Sequence, residues 1–88
     1  MTRFEDAVLD TIRSLRPGEV ATYGEVAEEA GFPGAARAVG NVLRIVDDDV
    51  PWWRVVGAGG HLIAPVASRQ GDLLRREGVT VVEGRVRP

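Results

Sequence analysis

The chain has 88 residues, 44% of them hydrophobic and 27% charged, with a formal net charge of −2, a composition that argues for one folded domain over residues 1–88 and against disorder. At this size folding buries only about 60–65% of the unfolded surface, which leaves room for a small core and no deep chamber. Zero cysteines exclude disulfides, thiolate metal sites and a cysteine nucleophile; a single histidine, His61, excludes the usual Cys/His zinc sites, so no metal and no cofactor is expected.

The mixed-charge start Thr2-Arg3-Phe4-Glu5-Asp6 does not read as a signal peptide, and no apolar run nears the roughly 20 residues of a membrane span, so a cytoplasmic protein without a membrane partner is expected. Thr2 with Glu5 forms a capping box opening a helix over 2–16, with Phe4, Val8, Ile12 and Leu15 on one face and Arg16-Pro17-Gly18 as its stop. A second box, Thr22 with Glu25, opens a short helix that Gly31 closes. After the turn Gly31-Phe32-Pro33-Gly34 a third helix is expected over about 34–46.

At 100° per residue, Arg37, Asn41 and Arg44 of this third helix fall within an arc of about 60°, opposite Ala35, Ala36, Val39, Val42, Leu43 and Val46. Two helices joined by a tight glycine turn, the second with a basic polar stripe, form a helix-turn-helix pattern. Between Phe32 and Val46 there are two arginines and no acid, and the small residues Gly34, Ala35, Ala36, Ala38 and Gly40 permit close approach of a partner. A helix N-terminus there favours phosphate. Any DNA role must therefore come from local charge, since the net charge is acidic.

Beyond it lie the acidic loop Asp47-Asp48-Asp49 and the segment Val50-Pro51-Trp52-Trp53-Arg54-Val55-Val56. The glycines at 57, 59 and 60 read as a turn and His61-Leu62-Ile63 as a returning strand, which makes a wing-like hairpin. A last helix is expected over about 68–77, with Ser68 as N-cap and Gly78 past its end. Val79–Val82 reads as a strand, and Gly84 with Arg85-Val86-Arg87 as a turn and frayed end. The fold class is mainly α with a small β wing.

Three segments together resemble one family. Val20-Ala21-Thr22-Tyr23-Gly24-Glu25-Val26-Ala27, then Ala35-Ala36-Arg37-Ala38-Val39-Gly40-Asn41, then Pro51-Trp52-Trp53-Arg54-Val55-Val56 are similar, in order and spacing, to the DNA-binding domain of O6-alkylguanine-DNA alkyltransferases over about residues 3–79. The family's third segment reads Pro-Cys-His-Arg-Val, and Trp52 stands at the cysteine position. Tryptophan there marks the alkyltransferase-like branch, which binds alkylated guanine without repairing it. The resemblance implies a winged helix-turn-helix-like domain that binds double-stranded DNA containing O6-alkylguanine through the minor groove, flips the nucleotide, and marks it for nucleotide excision repair proteins. It assigns Tyr23 to the phosphate beside the lesion and Arg37 to the vacated space, with Ala36, Gly40, Asn41 and Arg44 along the DNA. It places the base in a pocket of Pro51, Trp52, Trp53, Arg54 and Val55.

Two departures from the family matter chemically. Trp53 replaces the histidine of a His–Glu relay, so Glu77, similar to the relay glutamate, has no base to orient, and no enzymatic activity is expected. The loop around Ala64-Pro65 is compressed, and its small apolar wall is expected to admit bulkier adducts.

Each residue also has a plainer reading. Tyr23 is the half-buried first residue of a capped helix, Arg54 the partner of an acid, Glu77 a packing or loop-capping residue, and His61 a surface residue near a turn. In an extended segment Trp52 and Trp53 point to opposite sides, so one packs while the other lines a pocket. Asp47–Asp49 form a solvated loop that disfavours coating of undamaged DNA if it lies near phosphate. A winged helix-turn-helix regulator and a protein-interaction module are the competing functions. A monomer is expected, since no zipper or exposed apolar helix is evident.

Overall fold

The computed structural model describes residues 2–87. Helix α1 spans Arg3–Arg13, opened by the Thr2–Glu5 box: the Glu5 amide donates to Thr2 Oγ1 at 3.1 Å and the Thr2 amide to Glu5 Oε1 at 3.0 Å. It ends three residues before the expected stop, where Ser14 turns its hydroxyl onto the Thr11 carbonyl (2.6 Å) and competes with the helical ladder. Strand β1 (Ala21–Thr22) leads directly into α2 (Tyr23–Glu29), whose Thr22–Glu25 box is also formed. Gly31, at φ +92°, closes α2 as expected of a C′ glycine.

Helix α3 spans Ala36–Leu43, shorter at both ends than the expected 34–46. Gly34 sits at φ +87°, outside helical space, and Ala35 caps without a side-chain hydrogen bond. Val8, Leu9 and Ile12 of α1, Val26 and Ala27 of α2, and Val39 and Val42 of α3 bury together with Val50 and Val55. Phe4 meets Phe32 edge to face, at 5.0 Å between centroids, and so ties α1 to the α2–α3 turn.

The wing departs from expectation. Trp52–Arg54 is one 3₁₀ turn, and the following β2 (Val55–Val56) pairs in parallel with β1, Ala21 opposite Val55 and Thr22 opposite Val56. Both valines of β2 are buried, and β2 pairs with β1 and not with the returning strand expected at 61–63. His61 bridges to Arg85 instead, and the Leu62 amide donates to the Gly84 carbonyl at 2.9 Å. Gly60 is required there: at φ +87°, a Cβ would lie 3.0 Å from the Val86 carbonyl oxygen.

The chain's hairpin lies at its C-terminal end. Helix α4 spans Ala67–Arg76 and is followed by β3 (Thr80–Val82) and antiparallel β4 (Arg85–Arg87). Arg85–Arg87 is thus a strand and not a frayed end. Glu83 (φ 52°) and Gly84 (φ 73°) fill a two-residue loop with both φ values positive, the type I′ pattern that matches strand twist. Val66, not Ser68, takes the N-cap position of α4, without a side-chain bond, while Gly78 follows its end at φ +86°. No helix among the described residues is long and apolar enough to cross a membrane.

Candidate functional site

The β1–β2 pair sets the geometry of the site. Tyr23 follows β1 immediately and the Trp52–Arg54 turn precedes β2 immediately, so two paired residues on each side hold these aromatics in fixed relation. Beside them opens a cleft of about 810 Å³. Helix α3 contributes Ala36, Arg37, Gly40, Asn41 and Leu43, with Arg44 at its C-cap; α2 contributes Tyr23, the loop after α3 Val46 and Asp48, and the 3₁₀ turn Trp52. Ile63, Ala64, Pro65 and Val66, with Arg69 of α4, complete the lining.

Tyr23 is half-buried. A Cβ on Gly40 would lie 3.9 Å from its Cε1 and Cζ, so the ring passes over the glycine at ordinary contact distance. Burial pushes the Tyr23 phenol above its ordinary value, and the Arg44 cation offsets part of that, so the hydroxyl is neutral at pH 7 and available to donate. Arg37, Asn41 and Arg44 are all exposed, on one stripe of α3.

The two tryptophans divide, through a tight turn and not through strand alternation. Their rings stand edge to face at 6.0 Å, 88° apart. Trp52 lines the cleft, and its indole Nε1 donates to Asp48 Oδ1 at 2.9 Å. Trp53 turns the other way and donates from Nε1 to Glu77 Oε2 at 2.8 Å. Asp48 also pairs with Arg69, so this part of the acidic loop is engaged and not simply solvated. The Trp52 N–H holds the Asp48 carboxyl below its ordinary range, with Arg69 adding to the effect.

Glu77 is the centre of a second network. Arg54 donates from Nη2 to Glu77 Oε2 at 2.7 Å and from Nε to Oε1 at 3.0 Å, and the Gly18 amide donates to Oε1 at 2.9 Å. Arg54 also reaches the Leu15 carbonyl (2.9 Å), and its guanidinium lies 5.4 Å from the Trp53 ring centroid. Bonding to Arg54, Gly18 and Trp53 holds the Glu77 carboxyl down to about 2, against an ordinary 4.5, despite its burial. The plainer readings of Arg54 and Glu77 are therefore the observed ones: they pair, and Glu77 caps a loop amide.

Of the residues assigned to a base pocket by resemblance, Trp52 lines the cleft. Pro51, Trp53, Arg54 and Val55 stand outside the lining, with Val55 fully buried in the core. The residues assigned to DNA, Tyr23, Ala36, Arg37, Gly40, Asn41 and Arg44, all border it. His61 is exposed, as a turn-proximal residue should be.

Sequence reasoning missed Gln70. It is fully buried and fully bonded: Oε1 accepts from the Ile63 amide (2.8 Å), while Nε2 donates to the Trp53 (3.1 Å) and Val55 (2.8 Å) carbonyls. This one amide joins the Trp52–Arg54 turn to the 63–66 wall of the cleft. A faint signal existed in its i, i+4 spacing to buried Leu74. Gln70→Leu strands three backbone groups and is expected to cost about 1–3 kcal/mol or more of stability, read by urea denaturation.

This geometry, two helices in a helix-turn-helix pair beside an aromatic-lined cleft, defines a domain of the alkyltransferase DNA-binding type. Its backbone superposes on the crystal structure of Schizosaccharomyces pombe Atl1 in complex with damaged DNA containing O6-carboxymethylguanine with a TM-score of 0.87, at 33% identity, over 99% of this chain and 89% of that one. Residues 3–79 match the family described as 6-O-methylguanine DNA methyltransferase, DNA binding domain, and the chain belongs to that family. It is 35% identical to Alkyltransferase-like protein 1 of S. pombe over 94% of this chain and 82% of that protein. It is 37% identical to a DNA base-flipping protein of Vibrio parahaemolyticus, over 94% and 87% respectively.

Proposed function

We propose that this chain recognises O6-alkylguanine in duplex DNA without removing the alkyl group. Helix α3 enters the minor groove with its uncapped first turn toward phosphate, Arg37 takes the space of the displaced base, and Tyr23 bears on the adjacent phosphate. The flipped base enters the cleft against Trp52, and the apolar residues 63–66 face the alkyl substituent. One observation carries the reading: a single cleft, of a size within the roughly 300–1,000 Å³ of ligand pockets, is bordered by three arginines on two elements and by an indole. Extrusion costs a few kcal/mol, least for a damaged pair, and base–aromatic contact returns about 1–3 kcal/mol.

The chain has no cysteine, so it has no thiol to accept the alkyl carbon. Trp53 presents an N–H donor to Glu77 and no base, so Trp52→Cys is expected to remain inactive. Incubation with DNA carrying a radiolabelled methyl group checks this, and rapid transfer to protein would contradict it. With no transfer, the complex acts by marking the site, and nucleotide excision repair proteins are the proposed downstream partners of a monomeric, cytoplasmic protein.

The test is a titration of matched duplexes containing guanine or O6-methylguanine across salt concentrations. Preference for the lesion is expected, with a slope of about −0.9 per phosphate contact over about two to four contacts. The preference should hold or grow for larger O6-alkyl groups. Sequence preference with indifference to alkylation indicates a regulator, and absence of DNA binding indicates an interaction module.

A further inference from the structure

We propose that Asp48 determines the selectivity of the cleft, holding the Trp52 indole in place and masking the Arg69 charge until the correct base is bound; this rests on the function proposed above. Among the described residues Asp48 is the one acid lining the cleft, against three arginines, Arg37, Arg44 and Arg69. Its neighbours Asp47 and Asp49 are exposed and stand outside the lining. Each carboxylate oxygen of Asp48 has its own partner: Oδ1 takes the Trp52 Nε1–H at 2.9 Å, and Oδ2 takes Arg69 Nη2.

The two contacts do different things. An indole has one N–H, and anchoring it to a carboxylate fixes which edge of the ring faces inward and which face is left for a base. Trp52 is only half-buried, so packing leaves part of that orientation to the hydrogen bond. Arg69, by contrast, belongs to α4 and lines the cleft together with Arg37 and Arg44. Its pairing with Asp48 removes one cation from the field that any duplex meets, damaged or not.

The Asp48–Arg69 pair is exposed at 58% and 60% and therefore contributes little to folding. Substitutions at either position leave the fold intact, so changes in binding are readable.

Asp48→Asn keeps an acceptor for Trp52 and frees Arg69; Asp48→Ala removes both contacts. For Asp48→Asn we expect tighter binding to the unmodified duplex and a salt slope steeper by roughly 0.9, the signature of one added phosphate contact. Lesion preference falls about fivefold as a result. Adding Arg69→Ala to Asp48→Asn reverses the slope change. For Asp48→Ala, affinity for the O6-methylguanine duplex itself also falls. The Trp52 indole N–H resonance, assigned by its loss in Trp52→Phe, then exchanges faster with solvent, whereas Asp48→Asn preserves it. If wild type prefers the lesion and both Asp48 variants keep the same ratio and slope, the inference is overturned while the proposed function stands. If wild type shows no preference, both fall together.

Discussion

Glu77→Gln is expected to lower unfolding stability by about 3–5 kcal/mol, because it leaves the Arg54 guanidinium charged, largely buried and without its counter-ion. The Arg54 and Glu77 side chains are only 12% and 13% exposed, so solvent screening offers little relief. Whole domains of this size have stabilities of roughly 4–13 kcal/mol, which makes this one of the largest single effects available. The same pair predicts an acid limb. The folded Glu77 value, about 2, lies below the ordinary 4.5, so its contribution is complete above pH 4.5 and disappears as pH falls toward 2. The linked change is about 3 kcal/mol. Urea unfolding at several pH values checks it: wild type loses stability steeply between pH 4.5 and 2, and Glu77→Gln lacks that component. Equal slopes in the two proteins would contradict the assignment.

Trp52→Ala is expected to abolish most lesion preference. Loss of one base–aromatic contact costs about 1–3 kcal/mol, a factor of about 5 to 150 in affinity for the O6-methylguanine duplex. Binding to unmodified duplex changes far less, because the stacked base never reaches the indole. Tyr23→Phe keeps the ring over Gly40 and removes only the hydroxyl, so it reports on the proposed phosphate contact alone. Arg37→Ala is expected to leave the proposed flipped-out state without a filler and to lower lesion affinity while hardly touching stability, since Arg37 is exposed on α3. Parallel titrations of the four proteins on both duplexes decide between these contributions. A uniform loss on both duplexes for Trp52→Ala would assign the indole to general binding and not to the base.

What the sequence made legible was local. Thr2 with Glu5 and Thr22 with Glu25 announce their helices because a capping box is completed within four residues, and Gly31 and Gly78 announce their ends because a left-handed residue is needed there. The split between Trp52 and Trp53 was also readable, although alternation along a strand was the wrong cause. Long-range pairing was not legible. Val55 finds Ala21 across the chain in a parallel bridge of two residues, too short to leave a periodic pattern. Glu83-Gly84 lacks the Asn-Gly or Asp-Gly signature of a type I′ turn, so the last hairpin read as a loose end.

The site divides in the same way. The stripe of Arg37, Asn41 and Arg44 follows from helical geometry, and all three border the cleft. Asp48, Arg69 and Gln70 stay hidden because their partners are contributed by other elements: Asp48 meets Arg69 of α4, and Gln70 meets the Trp52–Arg54 turn and Ile63. Their roles follow from tertiary placement, where a buried amide with three bonds or an acid between an indole and a guanidinium becomes visible.

The most direct test is a crystal structure of the protein bound to a duplex carrying one O6-methylguanine. The account predicts the modified purine rotated out of the helix and seated against the Trp52 ring, with the Arg37 side chain in the gap and Cβ of Trp52 still carrying its indole toward Asp48. A purine that remains stacked in the duplex, with the cleft beside Trp52 empty, would contradict it.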